Sequence, residues 1–169
     1  MTDLRVRRYE PRDADAVWDL HERALRDVGA FDEEYAHLDA DLRRVPEAYL
    51  DAGGEFLVGD RVPDGSVVAM GALQPATAVD HHEDEHDPDA GVVRRMRVDP
   101  AHQREGYGSA ILTELETRAP DLGFNRLVLD TTPRQTAAMA LYESFGYEET
   151  HRETMPAGEM VFYEKVIPR

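Results

Sequence analysis

The most informative segment of the chain reads Val98-Asp99-Pro100-Ala101-His102-Gln103-Arg104-Glu105-Gly106-Tyr107-Gly108-Ser109. It follows a strand pattern and leads into a helical one. Gly106 and Gly108 allow the backbone to approach a ligand, and the free amides at the helix start attract an anion. The segment lacks the Gly-Lys-Ser/Thr ending of a P-loop and the third glycine of a dinucleotide fingerprint. Taken alone, it is either an anion cradle or a strand-to-helix turn without a ligand.

The rest of the chain alternates between strand and helix patterns. Strands are predicted at residues 4–8, 55–59, 67–73, 92–98, 127–129, 147–154 and 160–167. A first helix is predicted to begin after Asp13, its N-cap, and to end at Gly29. Two short helices separated by Pro46 are predicted between residues 32 and 50. Two further helices are predicted at 107–119 and 138–146. Residues 63–65, Pro-Asp-Gly, should turn the second strand into the third as a hairpin.

The order of these elements, β-α-α-β-β-β-α-β-α-β-β, predicts one mixed sheet with helices on its faces. Because side chains alternate along a strand, we expect Val92, Met96 and Val98 on one face of the fourth strand. Arg95 and Arg97 should lie on the other face.

Composition favours one compact domain over residues 1–169, because the chain has 41% hydrophobic residues and no cysteine. Disulfide scaffolds and cysteine-zinc sites are therefore excluded. The chain has 18 Asp, 17 Glu and 18 Arg but a single lysine, Lys165, and its net charge is −16. This acidic surface indicates salt adaptation, as in a halophilic protein, or else an ordinary acidic protein. It also argues against nucleic-acid binding, which requires clustered Lys and Arg.

No apolar run is long enough to span a bilayer, and the first residues contain no apolar signal segment. The sequence therefore predicts a cytoplasmic protein without a membrane partner. It does not determine the oligomeric state, and a homodimer is compatible with it.

Two motifs resemble those of the GCN5-related N-acetyltransferase (GNAT) family. Gln103-x-x-Gly106-x-Gly108 is similar to the Gln/Arg-x-x-Gly-x-Gly/Ala signature for acetyl-CoA. Residues 138–147, Ala-Met-Ala-Leu-Tyr-Glu-Ser-Phe-Gly-Tyr, resemble the second signature, Ala-x-x-Leu-Tyr-x-x-x-Gly-Phe/Tyr. The close resemblance covers roughly residues 91 to 150. It implies an α/β (α+β) GNAT-like acyl-CoA N-acyltransferase fold, with a single mixed, centrally splayed sheet of about six to seven strands and helices on both faces.

The resemblance also implies roles for individual residues. The backbone of Met96 and Val98 would bond the acetyl-pantetheine arm of acetyl-CoA, and Tyr142 would be the general acid that protonates the departing thiolate. The coenzyme would further contact the residues of the first signature, with the amides from 104 to 109 holding its pyrophosphate: Gln103, Arg104, Glu105, Gly106, Tyr107, Gly108 and Ser109. Gln135 occupies a position where the family often has Asn, and its longer amide can still reach the coenzyme. A phenol is still protonated at neutral pH, which suits a general acid. The alternative is that Tyr142 only packs in the core.

The general base remains open at this point. Glu55, Asp130 and His102 are candidates, and a water relay or purely structural roles for all three are alternatives. Arg95 and Arg97 would pair either with an anionic group of the substrate or with local carboxylates.

The histidines of the acidic loop 80–89 suggest a metal site, since His81, His82 and His86 lie among six Asp and Glu side chains. Their spacing in a solvated loop is not that of a preorganised site, so we expect no metal.

The sequence thus predicts an enzyme that transfers acetyl directly from acetyl-CoA to a primary amine, most simply of a small molecule. Acetylation of a protein N-terminus or side chain is the alternative within the class. A catalytically silent acyl-CoA-binding regulatory module is the alternative from another class.

Overall fold

The structure, a computed structural model, describes residues 3–29, 31–32, 39–80, 82–156 and 158–168. Its seven strands form one mixed sheet in the order β1-β2-β3-β4-β5-β7-β6. The strands are β1 (Leu4–Arg8), β2 (Glu55–Arg61), β3 (Val67–Pro75), β4 (Ala90–Val98), β5 (Arg126–Thr131), β6 (Glu148–Met155) and β7 (Gly158–Val166). All neighbours pair antiparallel except β4 and β5, which pair in parallel. The predicted single mixed sheet and the β2–β3 hairpin are confirmed.

Three helices cover the sheet: α1 (Ala14–Asp27), α2 (Tyr107–Arg118) and α3 (Thr136–Ser144). On one face α1 buries Val17 and Leu20 in the cluster that contains Phe56 and Met70. The second face carries α2 and α3, whose apolar side chains pack with Leu57, Leu73, Leu129 and Tyr163. Helices on both faces are therefore confirmed, and each fully buried leucine stabilises the fold by about 1.5–3 kcal/mol.

A glycine allows α2 to approach the sheet. A Cβ atom built on Gly71 would lie 2.5 Å from Met96 Sδ and 2.6 Å from Ile111 Cγ2. Real Cβ atoms do not approach other atoms so closely. The side chain of Ile111, on α2, therefore fills the space that the missing side chain of Gly71 leaves. The helix that carries the glycine-containing segment is thereby fixed directly over β3 and β4.

Helix ends follow the predicted signals in two of three cases. Gly29, with φ +69°, follows the end of α1, and Gly146, with φ +91°, follows the end of α3. The predicted N-cap role of Asp13 is wrong, because its carboxylate instead accepts hydrogen bonds from Arg7 and the Glu10 amide.

The segment between α1 and β2 differs from the two predicted helices. Residues 33–38 lie outside the described part of the chain. Residues 39–43 form 3-10 turns, and Pro46–Leu50 forms a single π-helical turn. Proline is tolerated at the first position of this turn because no intrahelical amide is needed there.

One residue of β4 is extra. Ala72 pairs with Arg94 and Met70 with Arg97, so three steps along β4 face two along β3. Arg95 accommodates the bulge with φ +58°. The extra residue reverses the alternation, so the expectation that Val92 shares a face with Met96 and Val98 is wrong. Met96 and Val98 pack in the α2 cluster, whereas Val92 packs in a cluster of its own with Ala90, Ala76 and Val128.

The centre of the sheet opens at one end. β4 and β5 pair only from Ala90↔Arg126 to Val92↔Val128. Beyond that point β4 continues along β3 to Val98, and β5 continues along β7 to Thr131. The two parallel strands therefore separate and leave a gap between them, which confirms the predicted central splay.

Candidate active site

A cleft of about 470 Å³ lies where the parallel strands separate. Its walls are the last residues of β4, the starts of α2 and α3, and the end of α1. The resemblance assigned eleven residues to the coenzyme or to the general acid. Ten of them line the cleft: Met96, Val98, Gln103, Arg104, Gly106, Tyr107, Gly108, Ser109, Gln135 and Tyr142. Glu105 does not line the cleft, and its carboxylate lies 3.2 Å from Nδ1 of His102 instead. Two separate segments of the chain, 96–109 and 134–142, therefore meet at one site.

The glycine-containing segment forms a concave row of amides. None of the backbone N–H groups from Gln103 to Ser109 donates to a backbone carbonyl in the described part of the chain. Arg104, with φ +66°, and Gly106, with φ +83°, turn this stretch of backbone. Residues of alternating helical hand direct successive amides to one side, which is the geometry of an anion nest. The segment therefore offers several donors and a helix N-terminus to one anionic group.

A small residue is required where α2 meets α3. The Cβ that Gly108 lacks would lie 3.3 Å from Leu141 Cδ2 and 3.6 Å from Val98 Cγ2. Any larger side chain would fill the space between the helix start and α3, beside the row of amides. The two glycines thus have different functions, since Gly106 provides the backbone turn and Gly108 provides room.

Positive charge without a carboxylate partner collects in this cleft. Arg97, Arg104 and Arg134 line it, and none of the three has an ion pair in the part of the chain that the structure describes. The chain contains 35 carboxylates, and most of its other arginines are paired with them. The cleft is therefore a local exception in a strongly acidic protein, and it is suited to a polyanionic ligand.

Tyr142 is held by other aromatic rings. Its ring centroid lies 5.8 Å from that of Tyr147 and 6.3 Å from that of Tyr163, and only 6% of the residue is exposed. Burial, opposed by the charge of Arg97 and assisted by that of Asp130, raises the pKa of Tyr142 to about 12. Its hydroxyl has no hydrogen-bond partner among the residues described. The tyrosine therefore carries its proton at neutral pH and presents it to the cleft.

The three candidate bases have very different surroundings. Glu55 is buried and receives hydrogen bonds from Arg8 at 2.9 Å and Arg118 at 3.0 Å. Burial works to raise the pKa of Glu55, but these guanidinium groups outweigh it and hold the pKa below its ordinary value. None of the three candidates, Asp130 included, is among the residues that line the cleft. Glu55 is thus an ion-pair residue rather than a base.

Asp130 lies on β5 beyond the point where the strands separate. Its carboxylate is accessible to solvent, and it has no hydrogen bond or ion pair with the residues described. Surrounding atoms nevertheless desolvate it, and this burial raises its pKa against the opposing charges of His82, Arg94 and Arg95. Of the three candidates, Asp130 alone combines an available carboxylate with a raised proton affinity.

The two arginines of β4 differ in their partners. Arg95, at the bulge, donates to Asp39 at 2.9 Å and to Asp41 at 3.0 and 2.7 Å. Local carboxylates thus account for Arg95, as the alternative interpretation of the sequence expected. Arg97 donates only to the carbonyl of Met96, at 2.9 Å, and its buried Nε has no partner.

The two histidines of the acidic loop that the structure describes, His82 and His86, do not come together at one site. His81 lies outside the described residues, Nδ1 of His82 accepts from the Asp84 amide, and His86 is exposed beside Glu85. Within the described residues, ligand-type atoms converge instead at Glu83, His151 and Glu153, where His151 Nε2 lies 3.2 Å from Glu83 and 3.4 Å from Glu153. These contacts join the loop to β6.

Sequence reasoning missed two parts of the cleft. Arg134 precedes Gln135, and its charge next to a position that the resemblance assigned to the coenzyme was the signal that could have found it. The wall formed by the end of α1, at Ala24, Leu25 and Val28, carries no signal in the sequence because it depends on how α1 packs. None of the described helices is both long and apolar enough to cross a membrane.

The seven-stranded splayed sheet with helices on both faces is the fold of GNAT acetyltransferase structures. A model of the Acetyltransferase (GNAT) family matches residues 14–147. The chain belongs to the GNAT family of acetyltransferases, so the resemblance seen in the two motifs is confirmed. Acetyl-CoA is the co-substrate of this family, as expected from the sequence.

Individual relatives agree with this assignment. The amino-acid acetyltransferase of Azotobacter vinelandii is 29% identical over 147 residues, which cover 85% of this chain and 31% of that protein. The uncharacterized N-acetyltransferase YjgM of Escherichia coli is 28% identical over 131 residues, or 75% of this chain and 73% of that protein. The chain spans less than half the length of the first curated relatives that it matches.

Solved structures show the same fold at low sequence identity. A GNAT-family acetyltransferase of Staphylococcus aureus Mu50 superimposes with a TM-score of 0.79 at 16% identity and covers 98% of this chain and 99% of its own. The protein yncA of Salmonella typhimurium, whose structure holds its cofactor acetyl-CoA, has a TM-score of 0.77 at 19% identity, with 99% and 96% covered.

Proposed function

We propose that the protein is an acetyl-CoA-dependent N-acetyltransferase that transfers acetyl directly to a primary amine of a small molecule. The observation that carries this proposal is the cleft itself, which has an unpaired row of amides at one end and the free hydroxyl of Tyr142 at the other. An anionic, elongated co-substrate with a reactive end fits both features. The sequence contains no cysteine for a cysteinyl acyl-enzyme, which supports direct transfer to the amine.

The chain's residues divide into two groups in this proposal. Amides from Arg104 to Ser109, together with the charges of Arg104 and Arg134, bind the phosphates of the coenzyme. Gln103 and Gln135 contact the coenzyme nearby, and the backbone of Met96 and Val98, at the edge left open by the splay, bonds its pantetheine arm. The coenzyme is thereby positioned with its thioester beside Tyr142, which protonates the thiolate as it leaves.

Asp130 is the general base in this proposal. It lies across the gap from β4, and its charge acts on Tyr142. A positively charged amine is drawn to a carboxylate that has no cation of its own, and a raised pKa makes Asp130 the better proton acceptor. The acidic loop is joined to β6 through His151, and the charge of its His82 acts on Asp130, so this loop would border the acceptor, for which a small amine is the simplest choice.

The proposal is tested by measuring release of free coenzyme A thiol with a panel of amines, amino acids and peptides in concentrated salt. Amine-dependent thiol release is expected, with acetylated small amine as product by mass spectrometry. Turnover of peptides only would favour the protein-acetylating alternative. Tight acetyl-CoA binding without turnover of any acceptor would favour a silent binding module and contradict the proposed catalysis.

A further inference from the structure

The guanidinium of Arg97 is a charged feature of the cleft to which no function has been assigned so far. It lies on β4 opposite Met70 and lines the cleft together with Tyr142. The carbonyl of Met96 fixes its orientation by accepting from Nη1 at 2.9 Å. Its Nε is buried without a hydrogen-bond partner, and within the described residues the group has no ion pair.

The lack of an ion pair at Arg97 contrasts with the neighbouring arginine. Arg95 lies two positions earlier, and Asp39 and Asp41 neutralise it at 2.9 and 2.7 Å. Burial and the like charge of Arg95 lower the pKa of Arg97 to about 10, so it still carries its charge at neutral pH. Arg97 is half-buried with its Nε atom fully buried, and a desolvated cation without a counter-ion destabilises the folded state. Such a group indicates that its counter-charge arrives with the ligand or forms during the reaction.

We propose that Arg97 supplies the positive charge that stabilises the thiolate of coenzyme A as the acetyl group leaves, an inference that rests on the proposed function. The phosphates of the coenzyme are assigned to the other end of the cleft, at Arg104 and Arg134. Arg97 instead lies beside Met96 and Tyr142, where the thioester is expected. Negative charge appears there only during transfer, so Arg97 would favour the transition state over the bound substrate.

Acetyl transfer in this site conserves atoms and charge. The acceptor first loses its ammonium proton to solvent and reacts as the neutral amine. Its nitrogen then forms a bond to the acetyl carbon, the carbon–sulfur bond breaks, and the electron pair stays on sulfur. Sulfur takes the hydroxyl proton of Tyr142, while Asp130 takes the proton that the amine loses. Transfer of that proton through solvent to the tyrosinate restores both side chains. At each stage the negative charge on sulfur or on the Tyr142 oxygen faces Arg97.

The test measures the thiol pKa of bound coenzyme A, followed by the ultraviolet absorbance of its thiolate, in the parent, Arg97→Met and Arg134→Met. In Arg97→Met we expect this pKa to rise by about one unit or more, because an opposite charge within a few ångströms shifts a pKa by that order. Arg134→Met is the matched loss of one cleft guanidinium. It should weaken coenzyme binding and leave the thiol pKa as in the parent.

Folding is controlled by thermal melting, and Arg97→Gln serves as a second neutral variant. Both Arg97 variants should melt no lower than the parent, since they remove a half-buried charge that has no ion pair among the described residues. Equal thiol pKa values in the parent and in both Arg97 variants would overturn the proposal. If the Arg97 variants instead raise only the KM of an acidic acceptor, Arg97 binds the acceptor's carboxylate and the proposal is wrong. Failure of the parent to bind coenzyme A would overturn the proposed function itself.

Discussion

At the scale of single residues, the function proposed for Tyr142 depends on its hydroxyl and not on its ring. The ring packs against Tyr147 and Tyr163, whereas the hydroxyl has no partner among the residues described. Tyr142→Phe retains the packing and removes the proton. We expect kcat to fall by about 10²- to 10⁴-fold, the usual contribution of a general acid, with acetyl-CoA affinity nearly unchanged. Steady-state kinetics and calorimetry measure the two quantities.

A Tyr142→Phe enzyme that turns over within about threefold of the parent, roughly 0.65 kcal/mol of barrier, would assign the tyrosine to packing alone. The double variant with Tyr163→Phe is a useful control. Tyr163 donates its hydroxyl to Glu143 at 3.2 Å and should add little to the loss.

Asp130 gives a pH prediction. Burial raises the pKa of Asp130, so this side chain ionises at a higher pH than an ordinary aspartate. Only the ionised carboxylate can accept the amine proton. We expect kcat/KM to rise with pH as Asp130 loses its proton. In Asp130→Asn the rate should fall, and only the titration of the acceptor amine should remain in the profile. Asp121→Asn, at an exposed carboxylate away from the cleft, should behave as the parent. An unchanged profile in Asp130→Asn would point to a water relay.

At the scale of elements, the turn into α2 determines coenzyme binding. Gly106 has φ +83°, and a side chain there would project into open space at the mouth of the amide row. Gly106→Glu therefore adds a negative charge where the phosphates are placed, and also about 1–2 kcal/mol of backbone strain. Calorimetry should detect no acetyl-CoA binding.

Gly123→Glu provides the matched control for this substitution. Gly123 also has a positive φ, +93°, with open space around it, but it follows the far end of α2. The two variants should lose similar thermal stability, while only Gly106→Glu should lose the coenzyme. Equal loss of affinity in both would mean that backbone strain, and not charge at the nest, is responsible.

Secondary structure elements are predicted accurately from the sequence where their apolar period is clear. Strands and helices with a clear period were found, since the apolar pattern of an element such as α2 is local to it. The alternation in β4 was misassigned at Val92, because a bulge inserts one residue and nothing in the local pattern marks it. Asp13 was misassigned as a cap because Arg7, on the preceding strand, competes for its carboxylate.

At the scale of the whole molecule, the net charge of −16 gives a prediction about salt. Dilution from molar salt to dilute buffer lengthens the screening distance from roughly 3 Å to tens of ångströms. Repulsion among the carboxylates then grows over the entire surface, whereas exposed ion pairs gain only about 0–1 kcal/mol each. The melting temperature should therefore fall on dilution.

Sucrose separates the causes of this effect, since it stabilises proteins by exclusion from their surface without screening charge. Recovery of the melting temperature with potassium chloride but not with an equivalent amount of sucrose is expected. A melting temperature that stays constant or rises on dilution would contradict salt adaptation.

The sequence by itself determined the family, the order of the elements and the positions of both signatures, because each signature is contiguous and its chemistry depends on near neighbours. Tertiary structure decided which of these residues share a cleft and what charge each retains. Arg95 and Arg97 look equivalent in sequence, yet only Arg95 is neutralised by carboxylates, which lie far away in the sequence but next to it in space. Glu55 and Asp130 are both acidic candidates, yet arginines from distant segments occupy only Glu55. Burial and charge pairing arise from contacts far apart in the chain, and these govern proton affinity.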